Sequence, residues 1–432
     1  MNDDQLRERI RRALDAVHRP DPGLVRRSAE AAVRGRRGRR LVAALTAVTV
    51  TAVALAAVAV ALVRHEMERQ TGPAVPTPSA VSAGPVVYTL TAANQVVAVD
   101  RRTLRVRWTR QVAPPPSSSV SAGAMLGISA DGSRLYVLPA ESNGGGTSVH
   151  VLDAASGRPG AVIALAAAGG PLYRTFAVHP RSGDLYVVGQ DSGHVLVSVV
   201  DPVRQVVLST SVTRTLPSPS TLGNRPYQAA FTADGTRLYY SYGFSAAVSR
   251  GIDWADVRGP GVSPCRAASP GAACIPSSPG QGFVIDGSHL LFADDSVPVQ
   301  LVETTLNGTV VHRSSTGLSA NVRDVVLTSG RNQVAILASC DSLGGLNTVD
   351  RSTGRHAVVV TPAPAGSEPS SSTLCGLRPA LLSDGTLAIS QVTQGTPTPE
   401  LPGTLVFASS TTGRLIGSVT LPAQAVDVLA DG

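Results

Sequence analysis

The chain has 432 residues, 43% of them hydrophobic and 16% charged, and carries a formal net charge of +7. Its basic residues are all arginine, and the excess is local: residues 1–40 hold 12 arginines against 6 acidic residues, while the rest holds 25 against 24. The nearly neutral main part excludes a nucleic-acid-binding reading based on net charge. The lack of lysine, with abundant Ala, Gly, Pro and Val, matches the codon bias of a high-GC bacterium.

Residues 3–18 read as a short amphipathic helix, with Leu6, Ile10, Leu14 and Val17 on one face and Asn2, Asp3 and Asp4 at its start. Pro20-Asp21-Pro22 breaks it, and a second helix is expected over residues 23–33. Two such helices bury little core and are marginal alone. The segment resembles the cytoplasmic tails of membrane-anchored bacterial proteins. A zinc-dependent anti-sigma domain is excluded, because no cysteine precedes Cys265.

An arginine run, Arg34-Gly-Arg-Arg-Gly-Arg-Arg40, then leads into residues 41–63, LVAALTAVTVTAVALAAVAVALV, whose only polar side chains are Thr46, Thr49 and Thr51. About 23 residues at ~1.5 Å each span roughly 34 Å, enough for a bilayer core of ~30 Å. A cleaved signal peptide is the alternative, but its apolar core and its leading segment are normally much shorter. The expectation is a single-pass anchor with the N-terminus cytoplasmic, the basic flank on anionic lipid and the C-terminal part extracytoplasmic. Residues 64–85 form a Pro/Ser-rich linker.

From residue 86 two patterns alternate with a period of roughly 45–53 residues. One is a turn feeding a strand: Ser129-Ala-Asp-Gly-Ser-Arg-Leu-Tyr-Val137, Arg181-Ser-Gly-Asp-Leu-Tyr-Val187 and Thr232-Ala-Asp-Gly-Thr-Arg-Leu-Tyr-Tyr240, with weaker copies around Asp286 and Asp384. The other ends a strand on Asp and turns at Gly, as in Leu152-Asp-Ala-Ala-Ser-Gly-Arg158 and Val349-Asp-Arg-Ser-Thr-Gly-Arg355, with Val200-Asp201 and Ile252-Asp253 as shorter versions. Asp-Gly and Thr-Gly turns supply the positive φ of tight hairpins, and a four-stranded sheet buries both faces only when packed radially against copies of itself.

The Leu-Tyr-Val and Val-Asp-x-x-Thr-Gly-Arg words resemble those of β-propellers with YVTN-type and quinoprotein-amine-dehydrogenase-like repeats; no Trp-Asp dipeptide ends a strand, as in typical WD-repeat proteins. The expected fold is all-β: residues 86–432 form a seven-bladed propeller whose first blade lacks its inner strand and is completed by the C-terminal Ala425-Val-Asp-Val-Leu-Ala-Asp-Gly432.

The four cysteines, Cys265, Cys274, Cys340 and Cys375, suit disulfides. Of the three pairings, the local closures Cys265–Cys274 and Cys340–Cys375 are favoured. No metal or cofactor is expected: there is no Cys-x-x-Cys, no His-Glu-x-x-His and no Gly-x-Ser-x-Gly, and the histidines are scattered. No catalytic residue is assigned, and the aspartates that recur at turns read as structural.

In such a propeller the A–B and C–D turns share one face, and the B–C and D–A connections share the other. The long segments 113–123, 214–226, 258–280, 361–375 and 391–403 are expected on the second face, together with the cysteines. Arg174, Arg225, Arg323 and Arg378 lie at or just before the starts of inner strands, with Tyr173 and Tyr227 beside two of them. Arginines ringing a channel mouth suit an anionic ligand; the plainer alternative is that they pair with neighbours such as Asp324. The functional expectation is a ligand-binding or protein-interaction module at the cell surface. The alternatives are a propeller enzyme, quinoprotein-like dehydrogenase or lactonase, and a signal transducer working through the cytoplasmic tail.

Overall fold

Alternating Val, Leu, Ile and Tyr, interrupted at short intervals by Asp-Gly and Thr-Gly, fold into short antiparallel strands with one apolar row on each face. The computed structural model describes residues 85–116, 124–141, 145–166, 170–191, 193–215, 225–243, 251–266, 273–276, 279–294, 298–318, 322–327, 332–338, 346–359, 379–391, 400–412 and 414–430. All regular elements among them are strands, and no helix there is long and apolar enough to cross a membrane. The expected tail (1–40), span (41–63) and linker (64–85, save Pro85) lie outside the described residues, as do Cys340 and Cys375.

Seven antiparallel sheets form the blades of a β-propeller. The inner strands (A) of blades 2 to 7 are Met125–Ile128, Leu172–Val178, Arg225–Phe231, Pro279–Asp286, Val322–Leu327 and Ala380–Leu381. Blade 1 takes its inner strand from the C-terminus: Ala425–Ala430 pairs with Val86–Thr91, for example Val428 with Thr89. The C-terminal strand thus closes the ring on the first strand of the propeller.

Each sheet buries both faces against its neighbours. Among the described residues there are seven core clusters, one on each seam between blades. Leu126 meets Tyr88 between blades 1 and 2, and Phe176 meets Tyr136 between blades 2 and 3. Tyr240 and Val197 share the next seam, followed by Phe283 with Tyr239, Val325 with Leu291 and Leu387 with Val326. Phe407 with Val97 returns to blade 1. A fully buried Leu or Phe contributes about 1.5–3 kcal/mol, so the seams are the main source of stability.

The recurrent aspartates organise the turn face. Asp131 accepts hydrogen bonds from the Ser129 hydroxyl and from the amide and hydroxyl of Ser133, with Gly132 at φ 69°. Asp234 does the same with Thr232 and Thr236, beside Gly235 at φ 70°. At a C–D turn, Asp350 accepts from the amides and hydroxyls of Ser352 and Thr353. These donors hold all three carboxyls down at about 2.

Two turns also bind the preceding blade. Arg351, just after Asp350, grips Glu303 with two hydrogen bonds (2.6 and 3.0 Å) and Asp286 with a third (2.6 Å). Arg101, just after Asp100, donates to Thr386, sits 3.4 Å from Asp384 and lies over the Phe407 ring.

Blade 4 departs from the expected plan. Ile252-Asp253 does not end a strand: Asp253 lies inside strand C, Gly251–Arg258, opposite Tyr240. The C–D turn falls at Gly259-Pro260, and the outer strand begins at Gly261–Pro264. The connection expected over 258–280 therefore starts later, after the outer strand has begun. The pattern misled because an Asp in a strand needs a partner from the neighbouring blade, which no local spacing reveals.

Candidate functional site

The inner strands surround the central channel, and in several blades they are kinked at one level. In blade 3 Tyr173 pairs with Gly189 and Thr175 with Val188, so Arg174 is the extra residue of a β-bulge. Tyr227 occupies the same place in blade 4, between Pro226 and Gln228, and Arg323 in blade 6, between Val322 and Asp324. Val426 does so in the closing strand, between Ala425 and Asp427. In blades 3 and 4 the bulge lies five residues before His179 and Thr232, which open the A–B turns. A bulge leaves one residue out of the ladder and re-aims the strand locally.

The residue after each bulge is polar, and the three whose side chains are described each reach a neighbouring inner strand. Asp427 accepts the Leu126 amide at 2.7 Å. Gln228 imitates a backbone unit, accepting from the Phe283 amide (2.7 Å) and donating to its carbonyl (2.9 Å). The Thr175 hydroxyl contacts the Met125 sulfur at 3.0 Å. These side chains tie inner strands that lack mutual backbone pairing, just beyond the bulges.

Of the six residues singled out in the sequence, Arg174, Arg323 and Tyr227 hold equivalent bulge positions, and Arg225 opens the inner strand of blade 4. Arg174 is buried and engaged in interactions within the protein. Tyr173 belongs to the core between blades 2 and 3, where its hydroxyl meets that of Ser198 at 2.7 Å and Ser198 meets Thr210 at 2.8 Å. The side chains of Arg225, Tyr227 and Arg323, and all of Arg378, lie outside the described residues.

A second cluster was not foreseen. Cys265 and Cys274 are joined by a disulfide, with Cα atoms 6.3 Å apart. It lies on the outer strand of blade 4, where the Cys265 amide bonds to the Trp254 carbonyl in mid-strand, rather than among the connections around the channel. Beneath it, buried Asp253 accepts from the Cys274 amide (2.8 Å) and from Arg214 of blade 3 (2.9 Å). Burial pushes the Asp253 carboxyl up, and Arg214 and the Cys274 amide only partly oppose this. Asp253 and the two sulfurs lie within 4.8 Å of one another. They make a poor metal centre as they stand, since the sulfurs are bonded to each other and Arg214 already neutralises the carboxylate.

No protein-family model matches the sequence, and no curated protein matches it. Solved structures match in fold. A functionally unknown protein from Desulfotomaculum acetoxidans aligns over 80% of this chain and 98% of its own, at 12% identity and a TM-score of 0.54. The periplasmic gluconolactonase of Pseudomonas aeruginosa aligns over 81% of this chain and 99% of its own, at 14% identity and a TM-score of 0.52. At such identities the likeness concerns the propeller, and function must come from this chain's own site.

Proposed function

We propose that this protein is a membrane-anchored binding module whose propeller presents an anionic-ligand site at the mouth of its channel. The observation that carries the reading is the placement of Arg323 at a bulge of the blade 6 inner strand and of Arg225 at the start of the inner strand of blade 4; Arg174, at the equivalent bulge of blade 3, is already engaged within the protein. Arginine binds carboxylate and phosphate bidentately, and a bulge on a rigid strand is a usual place to aim such a side chain. The long connections expected on that face suit a shaped site. Residues 41–63 and the arginines before them anchor the module, with the propeller outside the cell.

The test uses the full-length protein with citrate and inorganic phosphate as probes in calorimetric titration. Binding of either probe, lost in the Arg225→Ala/Arg378→Ala variant without a change in melting temperature, supports the reading. Failure of both probes to bind, or equal binding by the variant, overturns it. Hydrolysis of glucono-δ-lactone by the same preparation, followed by acid release, would move the assignment to the enzymatic alternative. For the topology, a reporter active only outside the cell should work after Gly432 and fail before Leu41; the reverse pattern removes the anchor reading.

A further inference from the structure

The outer strand of blade 4 is broken. Its first part, Gly261–Pro264, pairs with the far end of strand C, Ala255 opposite Pro264. The pairing resumes only with Ile275–Pro276, Ile275 opposite Ile252. Had the strand continued in register, the residue following Cys265 would have stood opposite Asp253. Instead the chain leaves the sheet there, and the Cys265–Cys274 disulfide spans the gap.

Two partners meet the Asp253 carboxylate, one from the broken strand and one from across the seam. One is the amide of Cys274, itself half of the disulfide. The other is Arg214, from the outer strand Val206–Thr215 of blade 3. The side chains of Arg214 and Asp253 are only 7% and 5% exposed, so water does not substitute for either contact. The carboxylate connects a covalent bond in one blade to a charge in the next.

We propose that the Cys265–Cys274 disulfide and the Arg214–Asp253 pair form one coupled unit, a redox-sensitive latch on the seam between blades 3 and 4. A dithiol reductant opens it: the S–S bond breaks, two electrons and two protons go to the cysteine sulfurs, and the reductant closes to its own disulfide. Cys274 is then no longer tied to Cys265, and its amide is released from the position that serves Asp253. The buried carboxylate keeps only Arg214, and the seam loosens on the blade 3 side as well. Linkage is reciprocal, so weakening the ion pair makes the disulfide easier to reduce.

The test compares the intact protein with its disulfide closed and after reduction by dithiothreitol, using peptide-resolved hydrogen exchange. Reduction should deprotect residues 261–276 and also Val206–Thr215 across the seam. Loss of protection confined to blade 4 overturns the proposal, since a staple without coupling would act only on its own loop. The reverse direction is read from the reduction equilibrium of the Cys265–Cys274 peptide, assayed by alkylation and mass spectrometry. Asp253→Asn should shift it about ten-fold towards the dithiol, a usual size for coupling between sites. An unchanged equilibrium in this variant likewise overturns the latch.

Discussion

Among the described residues, three seams are bridged by an arginine of one blade and a carboxylate of its neighbour, and two of them differ in almost every other respect. Between blades 5 and 6, Arg351 meets Glu303 and Asp286 on the turn face, with the three side chains 13–18% exposed. The hydrogen bonds from Arg351 hold Glu303 below the usual carboxylate range, so the pair favours the ionised form. Between blades 3 and 4, Arg214 and Asp253 are almost sealed, and burial outweighs attraction and pushes Asp253 up. The difference shows that the same pairing is a modest stabiliser at a rim and a conditional one in a core. There, each charge is tolerable only while its partner stays.

Breaking the buried pair should have the larger effect. Arg214→Met leaves Asp253 uncompensated and should cost about 3–5 kcal/mol in urea unfolding. Adding Asp253→Leu should return much of that loss, whereas a double variant as weak as the single one would mean the seam needs the charges themselves. Arg351→Met removes three charge-assisted hydrogen bonds at a partly wetted rim and should cost roughly 1.5–3 kcal/mol. A cost equal to that of Arg214→Met would erase the contrast between the seams.

The two seams should also respond to pH with opposite sign. Glu303 is depressed in the folded protein, so its contribution is present above its ordinary value and is lost as pH falls through the lowered one. The stability gap between wild type and Arg351→Met should therefore narrow in acid. Asp253 is raised, so its contribution is most favourable below its ordinary value and declines as pH rises through the raised one. Asp253→Asn should flatten that decline. The smallest effects belong to the turns. Asp131, Asp234 and Asp350 sit at about 2, so the stability they add is lost between roughly pH 4 and pH 2. Replacing any one by Asn should lower the neutral-pH midpoint slightly and make melting less sensitive to acid within that window.

The two seams also mark where sequence reasoning works. The Asp-Arg-Ser-Thr-Gly-Arg word around Asp350 is a local pattern: its aspartate caps its own turn, and its repetition pointed to the blades, their number and the closing strand Ala425–Ala430. Hydrophobic alternation and turn chemistry act between residues a few positions apart, so they are written in the sequence at that spacing. Asp253 looked like another member of the series, and the Cys265–Cys274 pairing was expected from proximity in the chain.

What local spacing did not contain was the break in the outer strand of blade 4 and the arrival of Arg214, 39 residues away in sequence, beside Asp253. Nor did it contain the commitment of Tyr173 to the core through Ser198, or the bulges that set Arg174, Tyr227 and Arg323 at equivalent levels. By itself the sequence determined the repeat, the strands, the turns and the closure, because each follows from short-range sterics and alternation. Only the tertiary structure decided which polar side chains are sealed between blades and which partners they find. That depends on how neighbouring sheets meet around the ring, and no single repeat records it.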